Sequence, residues 1–310
     1  MDAAIVTIGF GEPSEPDRET VETYLGRIFL ENMAIEGDLD EGAARARAAE
    51  LAARRAPGLV AEYEAIGGSP LYEQLVAHAD RLEDELEGRG LRARTYVATQ
   101  YLDPTIEATM AEVAAAAFDR VVVLPMYPLC GPSTTVKAIA RAADAISGHD
   151  RWDPDVTYVG GWHRHPGYNR VRADNVIEVL DERGLSVTDD DIALVFSAHG
   201  TPTSYLDAGS RYDQYVTEYC RTQAALIGAE TYHLGYQNHA SRGVEWTEPE
   251  VEDVVEAVDA DRLVVEPVSF IHEQSETLSE LDIELAEDAE AAGKELIRVP
   301  IPHDDARLAA

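Results

Sequence analysis

Lysine is almost missing from this chain. Its 310 residues include only Lys137 and Lys294, and 25 Lys plus Arg face 59 Asp plus Glu, a formal net charge of −34. Such an anionic surface excludes a nucleic-acid backbone as partner, since both would carry the same sign. It fits a protein adapted to high salt, where the Debye length falls to a few Å and self-repulsion is screened. The alternative is a very soluble acidic protein of ordinary salt. Cysteine is scarce too: Cys130 and Cys220 are too few for a disulfide framework or a Cys-rich metal site. No apolar run reaches the roughly 18–20 residues of a membrane helix. The opening MDAAIVTIGFGEPSEP has neither a basic n-region nor a long apolar stretch, so it does not read as a signal peptide. The expectation is a soluble, cytoplasmic protein.

What is present is ample material for a core. Hydrophobic residues make up 45% of the chain, and the length suits two ordinary domains. Strand-like runs recur: AAIVTIGF, RARTYVATQY, DRVVVLPMYP, VTYVGGW, DIALVFSAHG, TYHLGYQN and DRLVVEPVSF. Helical patterns lie between nearly all of them, such as YEQLVAHADRLEDELEGRG with its 3.6-residue apolar spacing and glycine stop. Short Val-rich strands alternating with helices predict βαβ units and parallel sheets. The pattern runs twice, about four strands before residue 140 and four after it, with the polar ISGHDRWDPD as boundary. The expected architecture is α/β: two similar lobes, 1–145 and 146–292, each a mostly parallel sheet flanked by helices, with a cleft between them.

In open α/β sheets ligands bind beyond the carboxyl ends of strands. That singles out GFGEP, QYLDP, LPMYPLCGPSTT, GGWHRHP, SAHGTP, YQNHASRGVEW and VSFIHEQSE. His199 ends an apolar run within a turn of small residues, where it can serve as a base near neutral pH or as a neutral metal ligand. His272, Glu276, Glu280 and Glu284 follow at intervals of four, which on a helix is one continuous stripe, with Glu273 at its edge. Carboxylates four apart repel one another, so a solvated acidic face is the plain reading for Glu284 and Glu287. A line of carboxylates leading into a cleft is also a path for a divalent cation. Other motifs fail. HEQSE has Glu276 where a zinc protease needs its second histidine, Gly9 and Gly11 are followed by Ser14 rather than a third glycine, and SAHGT is not a nucleophile elbow.

Taken in order, six stretches resemble the ferrochelatase family, whose members insert ferrous iron into a porphyrin to make haem. These are IGFGEP, RRAPGLVAEYEAIGGSPL, LPMYPLCGPSTT, VFSAHGTP, YQNHASRGVEW and FIHEQSETLSELDIEL. The resemblance implies two Rossmann-like lobes, with the C-terminal segment 293–310 packing back on the first. It implies a porphyrin in the cleft, His199 and Glu276 facing each other across it as catalytic groups, and Glu280, Asp282 and Glu284 continuing an acidic path. The metal candidates are His199, Glu276, Glu280, Glu273 and His272. The porphyrin candidates are Phe10, Tyr127 and Trp246 for the ring and Arg27, Arg54, Arg55, Ser133 and Thr134 for the propionates.

The chain also departs from the family pattern. Glu273 and Gln274 stand where the family often has Asp-His. Gln100 replaces a common Arg or Lys, and Cys130 and Pro132 are unusual in their loop. Phe10 occupies the place of a Tyr found in members acting on coproporphyrin, which favours protoporphyrin here. No cysteine-bearing extension follows PIPHDDARLAA, so no iron–sulfur cluster is expected. Fe²⁺ is then a substrate and no permanently bound cofactor is implied; the partners are porphyrin and iron, with transient membrane or haem-pathway contacts compatible. The alternatives are a coproporphyrin chelatase, a chelatase for another divalent metal such as cobalt, and a haem or porphyrin carrier without chelatase activity.

Overall fold

A computed structural model of the protein describes residues 2–33, 39–149, 151–238 and 244–309. All seven expected runs form strands, and an eighth joins them. They are β1 (Ala3–Gly9), β2 (Ala93–Thr99), β3 (Arg120–Pro125), β4 (Asp155–Tyr158), β5 (Ile192–His199), β6 (His233–Gln237), β7 (Arg262–Pro267) and β8 (Glu295–Arg298). Two four-stranded sheets result, ordered β2-β1-β3-β4 and β6-β5-β7-β8, and every pairing is parallel. The second sheet therefore repeats the first. Helices cover both faces, which explains why the strands read as nearly unbroken apolar runs.

The helices of the first lobe are α1 (Arg18–Glu31), α2 (Glu41–Ile66), α3 (Leu71–Gly88), α4 (Ile106–Ala115) and α5 (Lys137–Ser147). Three start on side-chain caps: Asp17, Asp40 and Thr105 accept the N–H groups of Thr20, Ala43 and Ala108. The second lobe carries α6 (Pro166–Asp181), α7 (Thr203–Asp207), α8 (Tyr212–Ile227), α9 (Val251–Ala257), α10 (Ser275–Leu278) and α11 (Ala286–Ala291). Val6, Ile8, Val121 and Val123 pack on Ile106 and Met110 of α4. In the second lobe Val195 and Val265 pack on Val251 and Val255 of α9 and on Leu281 and Leu285. No helix among the described residues is long and apolar enough to cross a membrane.

The structure moves two expected boundaries. β4 lies beyond residue 146 yet pairs with β3, so the first lobe runs past Tyr158. The described residues of the polar ISGHDRWDPD, 146–149 and 151–155, lead from the end of α5 to β4, so the stretch lies within a crossover connection of the first sheet and not between the lobes. Segment 293–310 does not simply pack on the first lobe. Its β8 extends the second sheet beside β7, and only the tail beyond it reaches α3, where Arg81 donates to the carbonyl of His303 at 3.0 Å.

The repeat extends to the turns that follow the strands. Gly11-Glu12-Pro13 follows β1 as Gly200-Thr201-Pro202 follows β5, so Phe10 stands in the first lobe where His199 stands in the second. Gly11 needs its glycine: its φ is +85°, and a β-carbon there would lie 2.6 Å from Thr99. A β-carbon on Gly200 would lie 1.7 Å from the side chain of Asn238.

Candidate active site

His199 is the last residue of β5, aligned with Gln237 at the end of β6. Its ring Nδ1 lies 2.7 Å from the carbonyl of Gly200, a contact that places the proton on Nδ1 and leaves Nε2 as the basic nitrogen. Its backbone N–H donates to Ser269 Oγ at 2.9 Å, and Tyr212 donates its hydroxyl to the His199 carbonyl at 2.9 Å. Burial pushes the imidazole pKa below its ordinary value, and the bond to Gly200 opposes this, so the ring is neutral at pH 7.

Glu276 sits in the first turn of α10. Its side chain is half-buried. Burial, then the charges of Glu12 and Glu280, raise its carboxyl well above the usual range. Burial likewise pushes Glu280 up to about 7, against a lowering hydrogen bond from Gln237. Gln237 organises this ground. Its Nε2 donates to the Glu276 carbonyl and to Glu280 Oε2, both at 2.8 Å, and its Oε1 accepts Ser197 Oγ at 2.9 Å. Gln237 is thus the common neighbour of His199 and of the carboxylates. Glu276 also faces the first lobe: Tyr24, Tyr63 and Tyr127 are raised by burial and, among other charges, by that of Glu276.

The carboxylate stripe keeps Glu276, Glu280 and Glu284, each close enough for its charge to raise the one before it, and loses His272. His272 lies before α10, and a π-helical turn at Glu280–Leu285 follows it. Thr277 closes a capping box with Gln274, and the N–H of Glu284 reaches back five residues to Ser279. Glu284 and Asp282 are exposed. Glu273 leaves the metal set, since its Oε1 accepts Arg298 Nη1 at 2.5 Å and the Ile301 N–H at 2.8 Å. His272 leaves it too, buried edge-on against His78 with 5.5 Å between ring centroids. Among the described residues no three His, Cys, Asp or Glu side chains gather to hold a metal.

The porphyrin candidates fall into three groups. Phe10 packs on Tyr101 and Tyr24, and Arg27 donates to the Tyr101 carbonyl at 3.1 Å. Tyr127 donates to Gln100 Oε1 at 2.5 Å, and Gln100 in turn donates to the Ser133 carbonyl at 3.1 Å. Gln100 thus braces the loop bearing Ser133 and Thr134, which forms a second π-turn, Pro132–Val136. Trp246 is brought beside the His199 turn by a bridge between its backbone and Pro202; His239 to Gly243 of the same motif lie outside the described residues. Arg54 and Arg55 are different, standing on an exposed stretch of α2. Arg55 is engaged by Glu62 of the same helix at 2.8 Å, so neither arginine is assembled with the others. Gln237, Ser269, Tyr212 and Glu12 were not singled out by the sequence; the strand-end position of Gln237, in register with His199, was the available signal.

His78 and His272 carry a pH prediction. Burial, with nearby positive charge from Arg81 and His303, pushes His78 down to about 4 and His272 well below its ordinary value. A group with a lowered folded pKa contributes stability above its unfolded value that is lost as pH falls through the folded one. His78 should therefore cost up to roughly 3 kcal/mol of stability as pH drops from about 6.5 to 4. The half-buried Glu276 and Glu280 act in the opposite direction, so the readout is a difference. Urea unfolding of wild type and His78→Gln across this range should show a shallower acid loss in the variant; parallel curves would contradict it.

Two parallel α/β lobes, with a histidine at a strand end and half-buried carboxylates in the helical segment that follows β7, define the two-lobed chelatase class of fold. Iron-bound SirB from Bacillus subtilis has a similar fold, with a TM-score of 0.54 at 12% identity over all of this chain and 92% of that one. The Ferrochelatase family model matches residues 2–310, and the chain belongs to that family. The ferrochelatase of Thermosynechococcus vestitus is 33% identical over 309 residues, 97% of this chain and 78% of that one. That of Geotalea uraniireducens is 31% identical over 304 residues, 95% and 90%.

Proposed function

We propose that this protein inserts Fe²⁺ into a porphyrin held between the lobes, with protoporphyrin favoured, in haem biosynthesis. The observation that carries the reading is the meeting of His199 and the half-buried Glu276–Glu280 pair around Gln237, in a member of the Ferrochelatase family. Iron enters as substrate from exposed Glu284 by way of Glu280 to Glu276, since hard carboxylate oxygens attract a divalent cation. The pyrrole nitrogens complete its coordination. His199 Nε2 accepts the pyrrole protons, and the fixed Nδ1–H bond to Gly200 holds it in the accepting tautomer. Phe10, packed on Tyr101 and Tyr24, offers the ring an apolar wall and no ligand atom. The reaction needs no resident cofactor and no iron–sulfur cluster, and the protein works in the cytoplasm.

Anaerobic insertion followed by absorbance, with protoporphyrin and coproporphyrin side by side and Fe²⁺ against Co²⁺, tests this. Haem formed from protoporphyrin and Fe²⁺ supports it. A preference for coproporphyrin or for Co²⁺ would correct the substrate, and tight porphyrin binding without insertion would leave a carrier. Glu280→Gln should raise KM for Fe²⁺ with little change in kcat, because the residue acts on the path.

We also propose that the surface is adapted to salt. Its charge of −34 repels itself in dilute buffer. The melting temperature should rise steadily from dilute buffer to molar KCl, and a flat profile would sink the idea.

A further inference from the structure

We propose that Glu12 is a positioning residue that clasps the Glu276 segment from across the cleft; this rests on the iron-insertion reading above. Glu12 belongs to the turn after β1 and is only 3% exposed. Among the described residues no Lys or Arg pairs with it. Instead its carboxylate is held by three neutral donors. Oε1 accepts Ser275 Oγ at 2.5 Å, and Oε2 accepts Ser69 Oγ at 2.5 Å and the Ser275 N–H at 3.1 Å. Ser69 belongs to the entry of α3 in the first lobe, while Ser275 opens α10 in the second and immediately precedes Glu276.

Burying a carboxylate without a cation is costly. The repeat shows that this turn does not require one, since the equivalent position in the second lobe is Thr201. The turn itself therefore does not account for the acid at position 12, and what that acid holds is the residue next to Glu276. Glu276 is then fixed from two sides: Gln237 grips its carbonyl from within the second lobe, and Glu12 grips its neighbour from the first. Because the clasp joins the two lobes directly, it sets how far the Glu276 carboxyl stands from the wall that bears Phe10. A displacement of about 1 Å in such a group can cost on the order of 10²-fold in rate.

Glu12→Ala, Ser275→Ala and the double variant should be compared with wild type in two measurements. In insertion kinetics both single variants should lose roughly 10- to 100-fold in kcat, with the porphyrin KM unchanged, and the double variant should lose no more than Ser275→Ala, whose hydroxyl also lies 3.2 Å from Glu276 Oε2. In hydrogen exchange read by mass spectrometry, the peptide spanning 273–285 should exchange faster in Glu12→Ala while β5 and β7 stay protected. Glu12→Gln, which keeps the shape and one acceptor oxygen, should fall between and serves if Glu12→Ala does not fold. Additive losses, unchanged exchange in 273–285, or exchange rising equally through both lobes would overturn the clasp. Should wild type insert no metal while exchange responds locally, the clasp stands and the iron-insertion reading fails.

Discussion

His199→Ala should lower kcat for iron insertion by about 10²- to 10⁴-fold, the span that a positioned general base contributes, while porphyrin affinity stays within a few-fold. The loss follows from geometry. His199 is oriented at three points, by the Gly200 carbonyl at Nδ1, by Ser269 at its backbone N–H and by Tyr212 at its carbonyl. Added imidazole should restore part of the rate, because alanine leaves a ring-sized space at the end of β5. Stopped-flow absorbance of porphyrin disappearance measures the effect, and a variant within ten-fold of wild type would show that the protons leave by another route.

Arg172→Met carries the largest expected effect on stability. Arg172 and Glu266 are both 0% exposed, and the guanidinium donates from Nε and Nη2 to the one carboxylate oxygen Oε1. The same guanidinium donates to the carbonyls of Phe270 at 2.8 Å and Pro267 at 2.7 Å. Removing it leaves a buried carboxylate uncompensated, a loss of about 3–5 kcal/mol. Glu266→Gln introduced together with Arg172→Met should recover much of that, since a neutral amide no longer needs the cation. The pair also reaches function. Residues 267–270 form the loop that presents Ser269 to His199, so insertion should slow in Arg172→Met even where the protein remains folded. Urea unfolding of the three proteins decides; a loss below 1 kcal/mol in the single variant would mean that Glu266 finds another partner or a proton at little cost.

The sequence made the strands and their ends legible because it encodes them locally. A Val-rich run closed by a Gly-x-Pro turn is forced into strand and turn by short-range sterics and by burial on both faces. Hence all seven expected strands, the parallel sheets and the strand-end position of His199 could be read residue by residue. β8 was missed because Glu295–Arg298 is short and its apolar residues are few. The lobe boundary was misplaced because a polar stretch inside a βαβ return looks like a linker.

The site divides along the same line. Composition settled that the surface is acidic, and the motifs settled the neighbourhood of the chemistry. Which acids serve it was decided only by tertiary structure. Glu273 and Glu276 are three residues apart and chemically identical, yet Arg298 captures the first and Gln237 anchors the backbone of the second. The four-residue stripe predicted one continuous face; Glu276, Glu280 and Glu284 keep it, and His272, which lies before α10, leaves it. Glu12 reaches Ser275 across 263 positions of sequence. Local pattern fixes the state of the backbone, whereas a buried polar side chain must find its partner wherever the fold brings one, and that pairing has no local signature.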